Sequence, residues 1–305
     1  MQKPSAKDGL IRKYRLAGVL FLLPAILIYL AFTIYPFFDS LVLSFYKWNG
    51  FSARTFIGLD NYIAAFRDKT FLMAIHNSVY LGVFSSIISV AVGLLLAWLM
   101  LYVSRRVGSL FRTILFSPSM IPAIITALVF AFIFEPENGA LNAFLNLIRR
   151  LFGVPEVQTA WLTNKSTALG AILFVSAWKQ VGLTMVLCFA GMQGLNLSLV
   201  ESARLDGAND FQVFGRIILP LIMPFVQLSA IFALMSGLKI YDTVVALTAG
   251  GPAKATIVMP LWILQNSFSF NKYGYGSAMS MIFVLIVLIG MLLVKRVVRG
   301  DSYEQ

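Results

Sequence analysis

Six long apolar runs limit what this chain can fold into. A helix that rises 1.5 Å per residue needs roughly 20 apolar residues to cross a hydrocarbon core about 30 Å thick. Runs near or above that length lie at Leu16–Phe38, Ser78–Val103, Phe111–Phe134, Ala168–Met192, Ile217–Leu238 and Gly276–Val298. Only 12% of the 305 residues are charged, which is too few to cover a soluble domain of this length. We therefore predict an all-α, polytopic membrane protein with six transmembrane helices.

Basic residues predict how those helices are oriented. Lys and Arg are concentrated in the segments that face the cytoplasm when the N-terminus is inside, as the positive-inside rule requires. Residues 1–15 and 299–305 are then cytoplasmic tails, and 16–298 form the transmembrane domain. The net charge of +11 is spread over short segments between apolar runs, which argues against a nucleic-acid surface.

Two further apolar segments are too short to cross the bilayer. Ile257–Phe270 has only about 14 residues and includes a proline, so we expect an interfacial or re-entrant segment. Ala140–Phe152 places apolar side chains on one helical face and Asn and Arg on the other. This pattern favours a helix that lies on the outer membrane surface.

The third predicted span contains a helix-breaking pair, Pro118 and Pro122. Each proline removes a backbone donor and opens the hydrogen-bond ladder, which a span tolerates only where protein or a water-lined cavity faces the break. Discontinuous helices of this kind often form the substrate site of a transporter. A kink that only shapes packing is an equal alternative.

Polar residues also interrupt the fourth predicted span, at Trp178, Lys179 and Gln180. A Lys at the centre of a span costs about 2.5–3.5 kcal/mol on insertion scales, so we expect it to face a polar cavity or a carboxylate. A Trp beside hydrogen-bonding groups suits a sugar, because a sugar ring has an apolar face and hydroxyl edges. The alternative is that Lys179 extends along the helix toward the interface.

The sequence lacks the residues that nucleotide-binding, proton-relay and metal sites require. The sequence contains no G-x-x-x-x-G-K-[ST] phosphate-binding loop, and the predicted spans contain no Asp, Glu and His relay of the proton-coupled type. One Cys and one His exclude a Cys-based or His-based metal cluster, so we predict no metal site and no catalytic residue. The pattern favours a transport subunit; a stand-alone secondary transporter or channel is the alternative, and a membrane enzyme is disfavoured.

The segment 196–216, between the fourth and fifth spans, is compact and of mixed charge. Ser198 is a suitable N-cap, and Glu201 three residues later predicts a capping box. The helix should end at Gly207 in a left-handed conformation. A second helical piece with Phe211 and Phe214 then leads to Pro220, which should open the fifth span. We expect this two-part element to dock on another protein.

The same segment resembles a known motif. Glu201-Ser-Ala-x-x-Asp206-Gly207-Ala, followed by the two phenylalanines and Leu219-Pro220, is similar to the EAA loop of permease subunits of binding-protein-dependent ABC importers. Trp178-x-x-x-Gly182-x-x-Met185 and Tyr241-Asp242-x-x-x-x-Leu247-Thr248-x-Gly250-Gly251-Pro252-x-x-x-Thr256 resemble the maltose and glycerol-phosphate type of carbohydrate permease. The resemblance is to the first of the two permease subunits and implies the type I ABC importer permease fold, with both termini cytoplasmic.

The resemblance also implies a mechanism and partners. The loop would be the coupling helix held by a cytoplasmic ATPase subunit, through Glu201, Ser202, Ala203, Arg204, Asp206, Gly207, Ala208 and Phe211. Two such ATPase subunits would bind ATP and Mg, while this chain would hold no cofactor. A second homologous permease subunit and an extracytoplasmic solute-binding protein would complete an importer in a bacterial or archaeal cell membrane. Residues matching sugar-lining positions are Ser119, Trp178, Lys179, Gln180, Leu183, Ser236, Gly237 and Ile240.

Overall fold

The computed structural model describes residues 20–298. The predicted tails, 1–15 and 299–305, and the predicted start of the first span at Leu16 lie outside these residues. The described chain is almost entirely helical. Its helices are α1 (Leu20–Leu43), α2 (Asp60–Arg67), α3 (Lys69–Leu99), α4 (Arg105–Met120), α5 (Ala123–Ile133), α6 (Ala140–Leu151), α7 (Ala168–Gln193), α8 (Leu197–Leu205), α9 (Asp210–Leu221), α10 (Met223–Leu238), α11 (Asp242–Thr248), α12 (Met259–Leu264) and α13 (Tyr273–Val297).

Helix length and hydropathy agree with six spans. Helices α1, α3, α7 and α13 are each long and apolar enough to cross a membrane. Two bent pairs satisfy the same criteria, α4 with α5 at 99° and α9 with α10 at 72°, which brings the number of candidate spans to six. The all-α prediction is confirmed.

Two predicted boundaries were wrong. The second span begins at Lys69 rather than Ser78, because the Asp68 side chain caps α3 by accepting a hydrogen bond from the Thr70 amide. The helix includes residues 69–77, which are too polar to belong to an apolar run. Pro220 does not open the fifth span; the chain bends at Ile222, and α10 begins at Met223.

The chain divides into two compact units, and the first comprises described residues 20–65 and 266–281. Within it, strands β1 (Tyr46–Lys47) and β2 (Thr55–Phe56) form a short antiparallel hairpin in which Tyr46 faces Phe56. The side-chain amide of Asn61 donates to the carbonyls of Ser44 and Tyr46, at 2.8 and 3.0 Å. These bonds satisfy backbone groups where α1 passes into the hairpin.

The second unit, residues 66–265 and 282–298, holds both candidate sites. Small residues bring its helices close together: a Cβ on Gly93 would lie 2.7 Å from the Cβ of Thr184, and one on Gly237 would lie 2.7 Å from the Cα of Gly82. Such contacts are how membrane helices gain packing energy without a hydrophobic driving force. A buried apolar cluster of this unit lies among α3, α7, α9 and α10, and includes Ala97, Met185, Cys188, Met192, Val213, Ile218, Ile222 and Val226.

The two short apolar segments each make contacts with the rest of the protein. Met259, Leu261 and Trp262 of α12 are buried in protein, and the Met259 amide donates to the Ser78 hydroxyl of α3, so this part of the predicted interfacial or re-entrant segment packs inside the unit. Helix α6 forms as predicted. Its polar face is not free, however, because Asn142 is buried and bonds the carbonyls of Pro136 and Thr159.

Candidate functional site: a cavity at a broken span and an exposed cytoplasmic segment

The third span is broken where the sequence places its prolines. Helix α4 ends at Met120, Ile121 adopts an extended conformation, and α5 begins after Pro122. The two halves meet at 99°. The ammonium of Lys179, on α7, donates a 2.7 Å hydrogen bond to the carbonyl of Ile121. A charged side chain from the next span therefore satisfies a backbone group at the break.

A polar cavity of about 410 Å³ opens beside this break. Seven of the eight residues predicted to line a sugar pathway are on its wall: Ser119, Lys179, Gln180, Leu183, Ser236, Gly237 and Ile240. They come from α4, α7 and α10 and from the turn after α10. Hydroxyl, amide and ammonium groups alternate there with small apolar surfaces. This combination can hydrogen-bond the edge of a polyol and contact its apolar face.

Trp178 is the exception and lies on another side of α7. It lines a separate, apolar cavity of about 640 Å³, and its ring packs edge-on against Phe130 with centroids 5.1 Å apart. Successive helical residues point about 100° apart, and here that offset turns Trp178 toward the apolar cavity while Lys179 and Gln180 line the polar one. Trp178 therefore does not line the polar cavity that the other seven predicted pathway residues share.

Further residues of the cavity wall lie outside the set of eight that the resemblance implied. Ser85 comes from α3 and Ser176 from α7, while Lys239, Asp242 and Thr243 come from the turn after α10 and the start of α11. Asp242 lies within Coulombic range of Lys179, although no ion pair forms. A usable signal was present, because Tyr241-Asp242 belongs to a motif that the sequence analysis recognised without placing it at the cavity.

The cytoplasmic segment consists of α8 and the start of α9, joined by a sharp turn. Asn196, not Ser198, caps α8: its side chain accepts a hydrogen bond from the Ser198 amide. The predicted capping box of Ser198 and Glu201 is absent, and a box forms instead at α9 between Asn209 and Gln212. Gly207 has a φ of 87°, in the left-handed region, as predicted.

Burial divides the residues of this segment into two sets. Ala203 and Ala208 are partly buried against the core cluster below. The remaining residues predicted to contact an ATPase are exposed: Glu201, Ser202, Arg204, Asp206, Gly207 and Phe211. Phe211 is 75% exposed and Leu205 is 90% exposed, so the segment presents two large apolar side chains on its surface. The sequence analysis did not include Leu205 among the residues of the ATPase contact. Its neighbours Arg204 and Asp206 are charged and exposed, which was the available signal.

Two interactions connect the segment internally and to the spans. Arg204 donates to Asp210 at 2.8 Å and so ties α8 to α9. The Trp98 ring, on α3, packs against Phe211 and Phe214 with centroids 5.2 and 4.8 Å apart. A displacement of α9 would therefore reach α3 through contacting aromatic rings.

Comparison with known proteins identifies the family. Residues 89–300 match the family described as binding-protein-dependent transport system inner membrane component. The chain belongs to this family of permeases. The match includes the cavity helices α4, α5, α7 and α10 and the whole cytoplasmic segment. The protein is accordingly a multi-pass inner membrane permease of a binding-protein-dependent ABC importer, as the sequence analysis predicted.

Individual relatives span nearly the whole permease. The probable ABC transporter permease protein YurN of Bacillus subtilis (strain 168) is 34% identical over 281 residues, which are 92% of this chain and 94% of YurN. The multiple sugar-binding transport system permease protein MsmF of Streptococcus mutans is 28% identical over 94% of this chain and 96% of its own. A chain in the crystal structure of a bacterial ABC transporter involved in the import of the acidic polysaccharide alginate has the same fold, with a TM-score of 0.79, 23% identity and coverage of 97% and 98%.

Among residues 20–298, no three His, Cys, Asp or Glu side chains come together as a metal site would require.

Proposed function

We propose that this permease carries a saccharide through the polar cavity beside the broken third span. The observation that carries the proposal is the cavity wall, where hydroxyl, amide and ammonium groups from three spans converge on about 410 Å³. Ser119, Lys179, Gln180, Leu183, Ser236, Gly237 and Ile240 form the pathway in this proposal. The printed name of MsmF, a multiple sugar-binding transport system permease, supports a saccharide as the substrate.

The permease works in an assembly. An extracytoplasmic solute-binding protein delivers the saccharide, and a second homologous permease subunit supplies the other half of the pathway. Two cytoplasmic ATPase subunits bind ATP and Mg and hydrolyse the nucleotide, since this chain has no ATPase site and needs no cofactor of its own. The transmembrane domain covers 16–298, with both termini in the cytoplasm.

The ATPase contact is the cytoplasmic segment. Its exposed face combines a carboxylate, Glu201, with two large apolar side chains, Leu205 and Phe211. Exposed apolar side chains surrounded by charged residues are typical of a protein interface. Ser202, Arg204, Asp206 and Gly207 belong to the same face, while Ala203 and Ala208 hold it against the spans. Closure of the ATPases would move α8 and α9 and thereby switch the cavity between outward and inward access.

The test is reconstitution of the four-subunit membrane complex with its solute-binding protein in vesicles. In Glu201→Lys the charge at the ATPase contact is reversed, and in Gly207→Asp a side chain is forced into the left-handed turn. We expect each to lower saccharide-stimulated ATP hydrolysis and uptake at least about tenfold, because disrupting such a contact costs more than about 1.4 kcal/mol.

Glu137→Lys is the matched control, since Glu137 is an exposed carboxylate in the loop between α5 and α6. It should leave hydrolysis and uptake unchanged. Normal coupling in both variants of the cytoplasmic segment would remove the segment from the ATPase contact. Uptake by vesicles that contain this chain alone, without ATP, would instead identify a secondary transporter or channel.

A further inference from the structure

One stretch of α7, residues 174–182, contacts both halves of the broken third span. On the α4 side the contact is made to backbone atoms. A Cβ on Gly182 would overlap the Leu115 carbonyl oxygen and lie 2.8 Å from the Phe116 Cα, so only glycine fits against this turn of α4. Lys179, one turn earlier on α7, bonds the carbonyl of Ile121 where α4 gives way to the break. Two residues of α7 thus hold the last turns of α4.

On the α5 side the contact is aromatic. The rings of Phe174 and Trp178 both pack edge-on against Phe130, at centroid distances of 6.0 and 5.1 Å. Phe130 is only 8% exposed. Phe174, Trp178 and Gly182 recur every fourth residue and so follow one side of α7. The same stretch of α7 therefore holds α5 as well as α4.

The break needs such support because its own backbone supplies little. Pro122 has no N–H, and the first bond of α5 runs from the Thr126 amide to the Pro122 carbonyl, one residue beyond Ile121. Inside a bilayer an unsatisfied carbonyl is costly, and two short half-helices joined by extended backbone can pivot about their joint. The ammonium of Lys179 satisfies that carbonyl and fixes the joint to α7 in one contact.

We propose that Phe174, Trp178, Lys179 and Gly182 form a brace that sets the angle between α4 and α5. Lys179 is in this view a positioning residue, which shapes the cavity by holding its wall rather than by binding the saccharide. The proposal deepens the proposed function, since the wall that is held includes Ser119 at the end of α4. It also explains why Trp178 and Lys179, although adjacent in sequence, face different cavities.

The angle can be measured without transport. Spin labels at Leu110 on α4 and Phe132 on α5, which are 61% and 79% exposed, report the distance across the break in the assembled complex in nanodiscs. Each label is attached to a cysteine introduced at its position. Cys188, which is buried, is replaced by Ser so that this chain has no other cysteine to react with the label. Lys179→Met removes the donor and keeps most of the apolar stem, while Lys179→Arg keeps a charged donor. Lys239→Met removes the other ammonium of the cavity without touching the break.

In Lys179→Met we expect the fraction of molecules outside the wild-type distance peak to rise roughly tenfold, as the loss of a charge-assisted hydrogen bond implies. Lys179→Arg should restore the narrow distribution, and Lys239→Met should leave it unchanged. If Lys179→Met does not assemble, Trp178→Ala is measured instead and should broaden the same distribution from the α5 side.

A wild-type distribution in Lys179→Met together with lost uptake would overturn the brace and make Lys179 a saccharide ligand. A wild-type distribution in Trp178→Ala would overturn it as well. Failure of the wild-type complex to take up any saccharide would refute the proposed function and leave the distance measurement standing, so the two failures are distinguishable.

Discussion

The two bent spans have the same local cause and opposite surroundings. Both bends lie beside prolines, Pro122 in one case and Pro220 and Pro224 in the other. At the α9–α10 bend the backbone satisfies itself: the Ile222 amide donates to Ile218, and the Ile222 carbonyl accepts from Phe225 and Val226. At the α4–α5 bend the exposed carbonyl of Ile121 receives a side-chain donor from another helix.

The difference shows that a bend in a span can lie inside an apolar cluster or form part of a cavity wall. Ile222 is fully buried in the apolar cluster, so the surrounding side chains fix that bend through many small contacts. The α4–α5 bend borders a polar cavity and combines the packing of Phe130 and Gly182 with a charged hydrogen bond. A bend held by packing alone should weaken gradually with lost volume, whereas one that also depends on a charged hydrogen bond should respond to the loss of that bond.

The largest effect should come from the packed bend. Ile222→Ala removes a fully buried side chain and leaves a cavity, which should lower the free energy of unfolding by about 2–5 kcal/mol. Ile124→Ala beside the other bend, where the side chain is 54% exposed, should cost much less. Thermal unfolding of the two variants in the same detergent measures both. Equal losses would mean that packing holds the two bends alike.

A smaller loss should follow from adding one methyl group to the brace. Gly182→Ala places a Cβ against the Leu115 carbonyl and should cost about 1–3 kcal/mol of stability. Gly170→Ala is the control on the same helix, because a Cβ there meets nothing within 4 Å. It should be neutral or stabilising by about 0.5–1 kcal/mol, the helix preference of Ala over Gly. Identical unfolding midpoints for the two variants would argue against close backbone contact between α7 and α4.

The smallest effect should come from the exposed ion pair between Arg204 and Asp210. Arg204 and Asp210 are about half exposed, and ion pairs in that setting contribute about 0.2–1 kcal/mol. A double-mutant cycle of Arg204→Gln and Asp210→Asn, read by thermal unfolding at low and high salt, should give a coupling energy in that range that falls as salt rises. A coupling energy above this range and insensitive to salt would remove the contrast with Lys179, whose bond lies within the spans.

Much of the fold followed from the sequence because periodicity and composition decide it. Apolar runs predicted the six spans, the two prolines of the third span predicted its break, and Gly207 predicted a left-handed turn. Seven cavity residues were also predicted, by resemblance and by the cost of burying Lys179. These signals are local or depend on residue type alone.

The errors arose where two local signals compete, or where the direction in which a side chain points decides what it contacts. Asn196 and Ser198 are both good N-caps, and backbone geometry rather than residue type selected Asn196. Trp178 was grouped with Lys179 because the two are adjacent in sequence, although adjacent helical residues diverge by about 100°. The role of Gly182 depends on α4, far away in the sequence, and no local pattern reports such a contact.

The contacts of α7 with α4 have a consequence for how this permease can diversify. Gly182 packs against main-chain atoms of Leu115 and Phe116, and Lys179 bonds the main-chain carbonyl of Ile121. Replacing those three side chains would leave the contacts intact, since every residue type offers the same carbonyl. The part of α4 that carries Ser119 to the cavity can therefore keep its position while the side chains of these three residues change in evolution.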